Sequence, residues 1–205
     1  NAVAHAAGLV DPTGAIRPTI FAEMSALAAA TGAVNLGQGF PDSDGPEWIR
    51  QAAIEAIETG ANQYPPGRGI AALRQAIAAH QRRHYGLAFD PDTEVLVTAG
   101  ATEALTSAVL ALAGPGDEVL TLEPFYDSHA AAIALAGATH TTEPLIATPA
   151  GFRLDLAALE AAITPRTRLI LINTPHNPTG TVLNRSELEA IAAAAIRADA
   201  VIVTD

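Results

Sequence analysis

The run Val201-Ile202-Val203-Thr204-Asp205 is apolar and ends in a carboxylate. Such a run is typical of a buried strand, and an acidic side chain at its end is costly unless it meets a cation or hydrogen-bond donors. A protonated pyridine nitrogen is one suitable cation, and a metal-binding or capping aspartate is the alternative. Asp205 is therefore the first residue for which we expect a chemical role.

A second constellation is the loop Leu171-Ile172-Asn173-Thr174-Pro175-His176-Asn177-Pro178-Thr179-Gly180, which also follows an apolar strand. Ligands of open parallel sheets bind at the carboxyl ends of the strands. Two prolines and a glycine restrict this loop, so that it can hold the Asn177 amide as a hydrogen-bond donor to a ring oxygen. A purely structural turn is the alternative, but the place of the loop after a strand favours function.

The third constellation, Thr98-Ala99-Gly100-Ala101-Thr102-Glu103-Ala104-Leu105, predicts a strand that passes through a glycine directly into a helix. Gly100 permits a tight turn, and the N–H groups of Ala101 and Thr102 then point outward from the helix N-terminus. A phosphate fits such a position. An ordinary strand-to-helix turn with Thr102 as the cap is the alternative.

The elements that position these residues alternate between short β-rich runs and helical stretches. This alternation predicts an α/β fold with a mainly parallel sheet flanked by helices on both faces. The predicted strands are 95–98, 119–122, 139–144, 169–173 and 201–204, and the helices between them are 102–113, 128–136, 156–162 and 186–197. Before them the sequence predicts helices at 21–30, 46–58 and 70–84, separated by turn-rich loops at 35–46 and 62–69.

Composition excludes several classes of function. The 205 residues carry a formal net charge of -11. An acidic chain offers no basic face for a phosphate backbone, so we expect no nucleic-acid partner. There is no apolar run long enough for a membrane span and no secretory signal, and together with the absence of cysteine this suggests a cytoplasmic protein without a metal site. All eleven basic residues are arginines, so the chain contains no lysine.

At these motifs the chain resembles the class I/II aminotransferases, a family of fold-type I enzymes that depend on pyridoxal 5'-phosphate (PLP). The run His176-Asn177-Pro178-Thr179-Gly180 is the most specific element of the resemblance. Residues Asn35–Asp42 resemble the family's substrate-side loop. Its intersubunit loop is matched by Asn62-Gln63-Tyr64 with Gly67, Gly69 and Leu73. The segment with the ring-stacking aromatic is matched by Glu123-Pro124-Phe125-Tyr126. The resemblance extends from about Arg17 to Asp205.

The resemblance implies a role for each matching residue. Gly100 and the amides of Ala101 and Thr102 bind the PLP phosphate, and Tyr126 stacks on the pyridine ring. Asn177 donates to the phenolic oxygen, and Asp205 pairs with the ring nitrogen. Tyr64 reaches the phosphate of the neighbouring subunit, and the backbone of Gly39 meets the substrate carboxylate.

Two histidines, His129 and His176, lie at positions covered by the resemblance. His129 stands where many members have a second tyrosine after the stacking residue, and either a substrate-side or a structural role is open. His176 precedes Asn177 as it does in the family, and we expect it to be a packing residue rather than a catalytic one.

The implied organisation is an N-terminal arm and substrate-side loop at residues 1–45, part of the small domain, followed by a PLP-binding large domain at 46–205 that is incomplete at its C-terminus. The family's catalytic lysine and its carboxylate-binding arginine would then lie outside the 205 residues. Amino acids and 2-oxo acids are the expected substrates, and a homodimer is the expected assembly.

The leading functional hypothesis is transamination, with most likeness to the kynurenine/glutamine, methionine and N-succinyldiaminopimelate aminotransferases and a slight preference for the last. A PLP-dependent carbon–sulfur β-lyase shares the same cofactor residues. An aminotransferase-like effector domain of a transcription regulator is a third, non-enzymatic hypothesis. A dinucleotide-binding domain is disfavoured, because no Gly-x-Gly-x-x-Gly follows a predicted strand.

Overall fold

The computed structural model describes residues 2–39, 41 and 43–205. Their contacts define two compact units, one formed by the residues up to Ala15 together with Thr98–Asp205, and the other by Ile16–Val97. These limits differ from the division that the sequence suggests at residue 45, which concerns the whole subunit and stays a prediction.

The first unit contains a four-stranded sheet in which all neighbouring strands are parallel. Its strands are β1 (Glu118–Glu123), β2 (Thr139–Pro144), β5 (Thr167–Ile172) and β6 (Val201–Thr204). Their order across the sheet is β2-β1-β5-β6. Because the strands are parallel, the segments that follow β1, β5 and β6 all leave the sheet at the same edge.

Helices cover both faces of this sheet, as the alternating pattern predicts. The helices of this unit are α1 (Ala2–Ala6), α5 (Ala101–Leu112), α6 (Asp127–Ala136), α7 (Leu156–Ala162) and α8 (Arg185–Ala198). Alternate residues of β5 point to opposite faces, so that Leu169 and Leu171 pack in the cluster that includes α5 and α6. Ile170 and Ile172 pack in the cluster that includes α7 and α8. Burial of each such side chain contributes about 1.5–3 kcal/mol.

Local sequence signals begin and end these helices. The Asp155 side chain accepts hydrogen bonds from the amides of Ala157 and Ala158 and so begins α7. Asn184 and Glu187 form a reciprocal capping box at the start of α8. Each such cap contributes about 1 kcal/mol.

The second unit consists of three helices and their loops. They are α2 (Ile20–Thr31), α3 (Glu47–Glu58) and α4 (Ala71–Tyr85), close to the three helices predicted. None of the three contains a buried residue. Large apolar side chains such as Trp48 and Ile57 are 72% and 63% exposed, so this unit presents apolar surface.

The structure corrects one predicted element and adds others. The strand predicted at 95–98 is wrong, because that segment joins no sheet among the described residues. Within the second unit, the Val97 N–H donates to the Arg68 carbonyl at 3.2 Å. A β-rich run makes an extended conformation favourable, but a strand also requires a paired neighbour. The hairpin of β3 (Ile146–Thr148) and β4 (Gly151–Arg153) and the short α1 were not predicted.

Candidate functional site

Three predicted site residues of the first unit lie on segments that leave the sheet at its carboxyl edge. Tyr126 closes the segment between β1 and α6, Asn177 lies in the loop after β5, and Asp205 follows β6. Asp205 is fixed to the neighbouring strand, because its N–H donates to the Ile172 carbonyl at 2.9 Å. The topology therefore brings three distant parts of the sequence to one edge.

The Asp205 carboxylate is surrounded by side chains of this edge. The Nδ2 amide of Asn173 lies 3.4 Å from its Oδ2 atom and 3.1 Å from the Asp205 carbonyl oxygen. On another element, Nε2 of His129 lies 3.9 Å from the same Oδ2. That distance is too long for a hydrogen bond. Asp205 remains 29% exposed, so its carboxylate is accessible to a ligand.

His129 is buried, with 3% of its side chain exposed. Neither ring nitrogen has a hydrogen-bond partner in the part of the chain that the structure describes. Burial lowers the pKa of His129 below its usual value, although the charges of Asp205 and Asp127 act in the opposite direction. The neutral imidazole is thereby favoured, and the buried ring lies next to the Tyr126 ring.

Tyr126 stands edge-on to His129, with ring centroids 5.9 Å apart and an interplanar angle of 89°. This T-shaped arrangement is a favourable geometry for two aromatic rings. It holds the tyrosine ring at the same edge as Asp205. One face of a ring held in this way can stack on a planar ligand.

His140 and Phe125 form a further ring pair beside this group, with centroids 4.6 Å apart. The Thr121 hydroxyl lies 2.8 Å from Nε2 of His140. Burial lowers the pKa of His140, and the positive charge of a protonated His129 would lower it further. The surroundings of both imidazoles thus favour the neutral form.

The loop after β5 is held by its own side chains. His176 is buried, and its ring Nδ1 atom lies 2.9 Å from the Thr179 hydroxyl. The backbone N–H of His176 donates to the Thr181 carbonyl at 2.8 Å. Burial lowers the pKa of His176. The Asn177 side chain is exposed, whereas its N–H donates to Oδ1 of Asn173. The loop therefore buries the histidine and presents the asparagine.

The start of α5 is suited to an anion. Gly100 precedes the helix with a φ of 85°, in the left-handed region that favours glycine. The amides of Ala101 and Thr102 belong to the first helical turn and have no carbonyl partner within the helix. The Glu103 carboxylate folds back to accept from the Ala99 N–H. The segment before Gly100 is an extended loop, not the strand that the sequence predicts.

The remaining two predicted site residues belong to the second unit. Tyr64 is 99% exposed, and Gly39 is exposed with an open surrounding. Phe40 and Asp42 of the predicted substrate-side loop lie outside the described residues. The roles proposed for Tyr64 and Gly39 stay predictions.

Asn173 contacts the predicted site residues, although no role was expected for it from the sequence. It lies within the loop at residues 171–180. A polar amide directly after a buried apolar strand is the signal that marks such a position.

The first unit has a small cavity at the site and a larger pocket away from it. A cavity of about 10 Å³, lined in part by His129, Asn173 and His176, lies at the carboxyl edge and is too small for an organic ligand. An open pocket of about 520 Å³ lies between the C-terminal ends of α7 and α8. The segments that line it lead into β5 and β6, so it lies at the opposite edge of the sheet from the site.

The described residues contain no cluster of three or more potential metal ligands. Within the same residues, no helix has the length and apolar character needed to cross a bilayer. The site is instead a set of backbone donors, an amide, an aromatic ring and a carboxylate. This set matches the groups of PLP, namely a phosphate, a phenolic oxygen, a flat ring and a ring nitrogen that can be protonated.

An open parallel sheet with an aromatic ring, an amide and a carboxylate at its carboxyl edge is typical of a PLP-binding domain of the aminotransferase type. Residues 31–205 match the family profile "Aminotransferase class I and II". The chain belongs to the class I and II aminotransferase family. Members of this family depend on PLP.

Individual relatives place the chain within the family. It is 61% identical over 187 residues to the probable N-succinyldiaminopimelate aminotransferase DapC of Mycobacterium tuberculosis, covering 91% of this chain and 47% of that protein. It is 47% identical to the methionine aminotransferase of Escherichia coli, covering 84% of this chain and 44% of that protein. The solved structure of the M. tuberculosis N-succinyldiaminopimelate aminotransferase superposes with a TM-score of 0.87 at 61% identity, covering 92% of this chain and 49% of that one. The chain thus spans about half the length of the relatives it matches.

Proposed function

We propose that the protein to which this chain belongs is a PLP-dependent aminotransferase of the N-succinyldiaminopimelate type, which transfers an amino group from an amino acid to a 2-oxo acid. The observation that carries the proposal is the convergence of Tyr126, Asn177 and Asp205 at one sheet edge, with the carboxylate accessible. The likeness to DapC at 61% identity supports the choice of substrate class. The cytoplasm is the proposed location.

The proposed roles follow from the chemistry of each group. The amides of Ala101 and Thr102 bind the phosphate, and their placement at a helix N-terminus adds the favourable helix dipole. Tyr126 stacks on the ring, and the exposed Asn177 amide donates to the phenolic oxygen. When bound, PLP supplies an electron sink for removal of the substrate's α-proton.

Asp205 has the decisive role in this proposal. A carboxylate beside the ring nitrogen favours the protonated form of that nitrogen, which the electron sink requires. Burial lowers the pKa of His129 and so favours its neutral form, which does not form an ion pair with the Asp205 carboxylate. Asp205 thus remains available to the ligand.

Substrate binding requires groups beyond this site. The backbone of Gly39 is proposed to meet the substrate carboxylate. No residue in the 205 can form the covalent link to PLP that the family's lysine provides, because the chain contains no lysine. That group and the rest of the substrate site are proposed to come from the part of the protein beyond this chain.

A homodimer is the proposed assembly, as is typical of the family. The support is the full exposure of Tyr64 in a Pro- and Gly-bounded loop, together with the apolar surface of the same unit. Sedimentation of the full-length protein tests this proposal, and an active monomer would contradict it.

The test of the function uses the full-length protein and a fixed 2-oxo acid, 2-oxoglutarate. The value of kcat/KM is compared for N-succinyldiaminopimelate, methionine and kynurenine as amino donors. The proposal expects the first to be preferred. Preference for another donor would contradict the substrate class, and turnover of cystathionine without any 2-oxo acid would indicate a β-lyase instead.

A further inference from the structure

Asn173 lies at the junction of the two loops that carry the proposed cofactor contacts. It is the first residue after β5, and its neighbour across the sheet follows β6. Backbone hydrogen bonds hold this junction: the Asp205 N–H donates to the Ile172 carbonyl at 2.9 Å, and the Thr174 N–H donates to the Asp205 carbonyl at 3.4 Å. The side chain of Asn173 is half-buried.

The two ends of its amide face different partners. Nδ2 donates to the Asp205 carbonyl at 3.1 Å and lies 3.4 Å from the Oδ2 carboxylate atom. Oδ1 accepts the N–H of Asn177. One side chain therefore connects the residue proposed to pair with the ring nitrogen to the residue proposed to contact the phenolic oxygen.

We propose that Asn173 is a positioning residue that fixes the distance and orientation between Asp205 and Asn177. The inference rests on the proposed function, because it concerns the same site. An asparagine suits this place because its side chain has a donor end and an acceptor end. An aspartate keeps the acceptor but loses the donor, and an alanine loses both.

The surroundings of Asp205 explain why the amide matters. On its other side the nearest charged or titratable partner is His129, at 3.9 Å, beyond hydrogen-bond distance. Among the described residues, the Asn173 amide is thus the side-chain donor within hydrogen-bond distance of the carboxylate, at 3.4 Å from Oδ2, and it also holds the Asp205 carbonyl at 3.1 Å. Without this amide the carboxylate gains rotational freedom, and the loop that carries Asn177 loses its side-chain link to Asp205 while the backbone hydrogen bonds of the junction remain.

The experiment uses the full-length protein with the variants Asn173→Ala and Asn173→Asp. The control is Asn184→Ala, which removes an asparagine of the same unit that caps α8 and has no place in the site. Three quantities are measured: the PLP dissociation constant from reconstitution of the apoprotein, the pH dependence of the cofactor's visible absorption, and kcat and KM.

We expect Asn173→Ala to weaken PLP binding on the order of 10-fold, because the Asp205 side chain and the Asn177 loop would then have to be ordered when PLP binds. Its kcat should fall more than its KM rises, because the loss concerns the cofactor rather than substrate recognition. Asn173→Asp should retain the fold and shift the pH profile of the visible absorption, since it places a second carboxylate beside Asp205. Asn184→Ala should lower stability and leave the PLP constant and pH profile unchanged.

Several results would overturn the inference. An Asn173→Ala protein with the PLP constant and pH profile of the wild type would do so. An Asn173→Ala protein that, like Asn184→Ala, loses only stability would also overturn it. If neither Asn173 variant accumulates as folded protein, Asn173 is needed for folding and the inference fails as well. A wild-type protein that binds no PLP would instead refute the proposed function, which keeps the two failures distinct.

Discussion

Replacement of the Tyr126 ring tests the proposed stacking contact. The ring is held edge-on to His129 at 5.9 Å, so it is oriented before any ligand binds. A stacked aromatic contact contributes about 0.5–1.5 kcal/mol beyond burial, which corresponds to about 2- to 13-fold in a dissociation constant. We therefore expect Tyr126→Ala to weaken PLP binding in the full-length protein by a factor in this range.

The assay is a reconstitution titration of the apoprotein with PLP, followed by visible absorption. Tyr126→Phe is the matched control, because it keeps the ring and its contact with His129. It should bind PLP nearly as well as the wild type. The reasoning is refuted if Tyr126→Ala binds PLP as tightly as the wild type, or if Tyr126→Phe is as weak as Tyr126→Ala, because the ring would then not be the binding element.

Further predictions concern the carboxylate, the lysine and pH. Asp205→Ala should abolish transamination while Tyr126→Ala only weakens it, and wild-type turnover by the Asp205 variant would contradict the assignment. The 205 residues alone, mixed with PLP and treated with borohydride, should yield no reduced pyridoxyl adduct on a side chain, because no lysine is present; mass spectrometry checks this. Burial lowers the pKa of His129, His140 and His176 below the usual 6.5, so the folded state binds fewer protons than the unfolded state in acid. The resulting stability is present above pH 6.5 and is lost as the pH falls below it. The midpoint of urea unfolding should therefore decrease as the pH falls below 6.5. An equal decrease in a His129→Gln variant would show that His129 does not contribute to this pH dependence.

The sequence predicts the sheet well where its strands are apolar, whereas the edge strand β2 is polar. The runs that became β1, β5 and β6 consist largely of Val, Leu and Ile, and helical stretches separate them. Such alternation leaves little choice but a parallel sheet between helices. The hairpin of β3 and β4 was missed because strands of three residues are too short to show a period.

The segment 95–98 shows that local composition alone does not determine a strand. Its β-rich composition is a local property, whereas strand formation depends on a neighbour elsewhere in the chain. The same limit applies within the site. Motifs indicate Asp205, Asn177 and Tyr126. The contacts of His129 and Asn173 with Asp205 join distant parts of the chain, and the spacing of the sequence does not indicate them.

The pairing of the sheet has a consequence for the order in which the protein folds. Glu118 of β1 pairs with Thr167 of β5, and Leu169 of β5 with Val201 of β6. Contacts between residues so far apart in sequence form slowly, because a long loop must close before they contribute stability. The site exists only once these strands are paired, so a partly folded chain has no place for PLP. The cofactor is therefore expected to slow unfolding while leaving the rate of folding nearly unchanged.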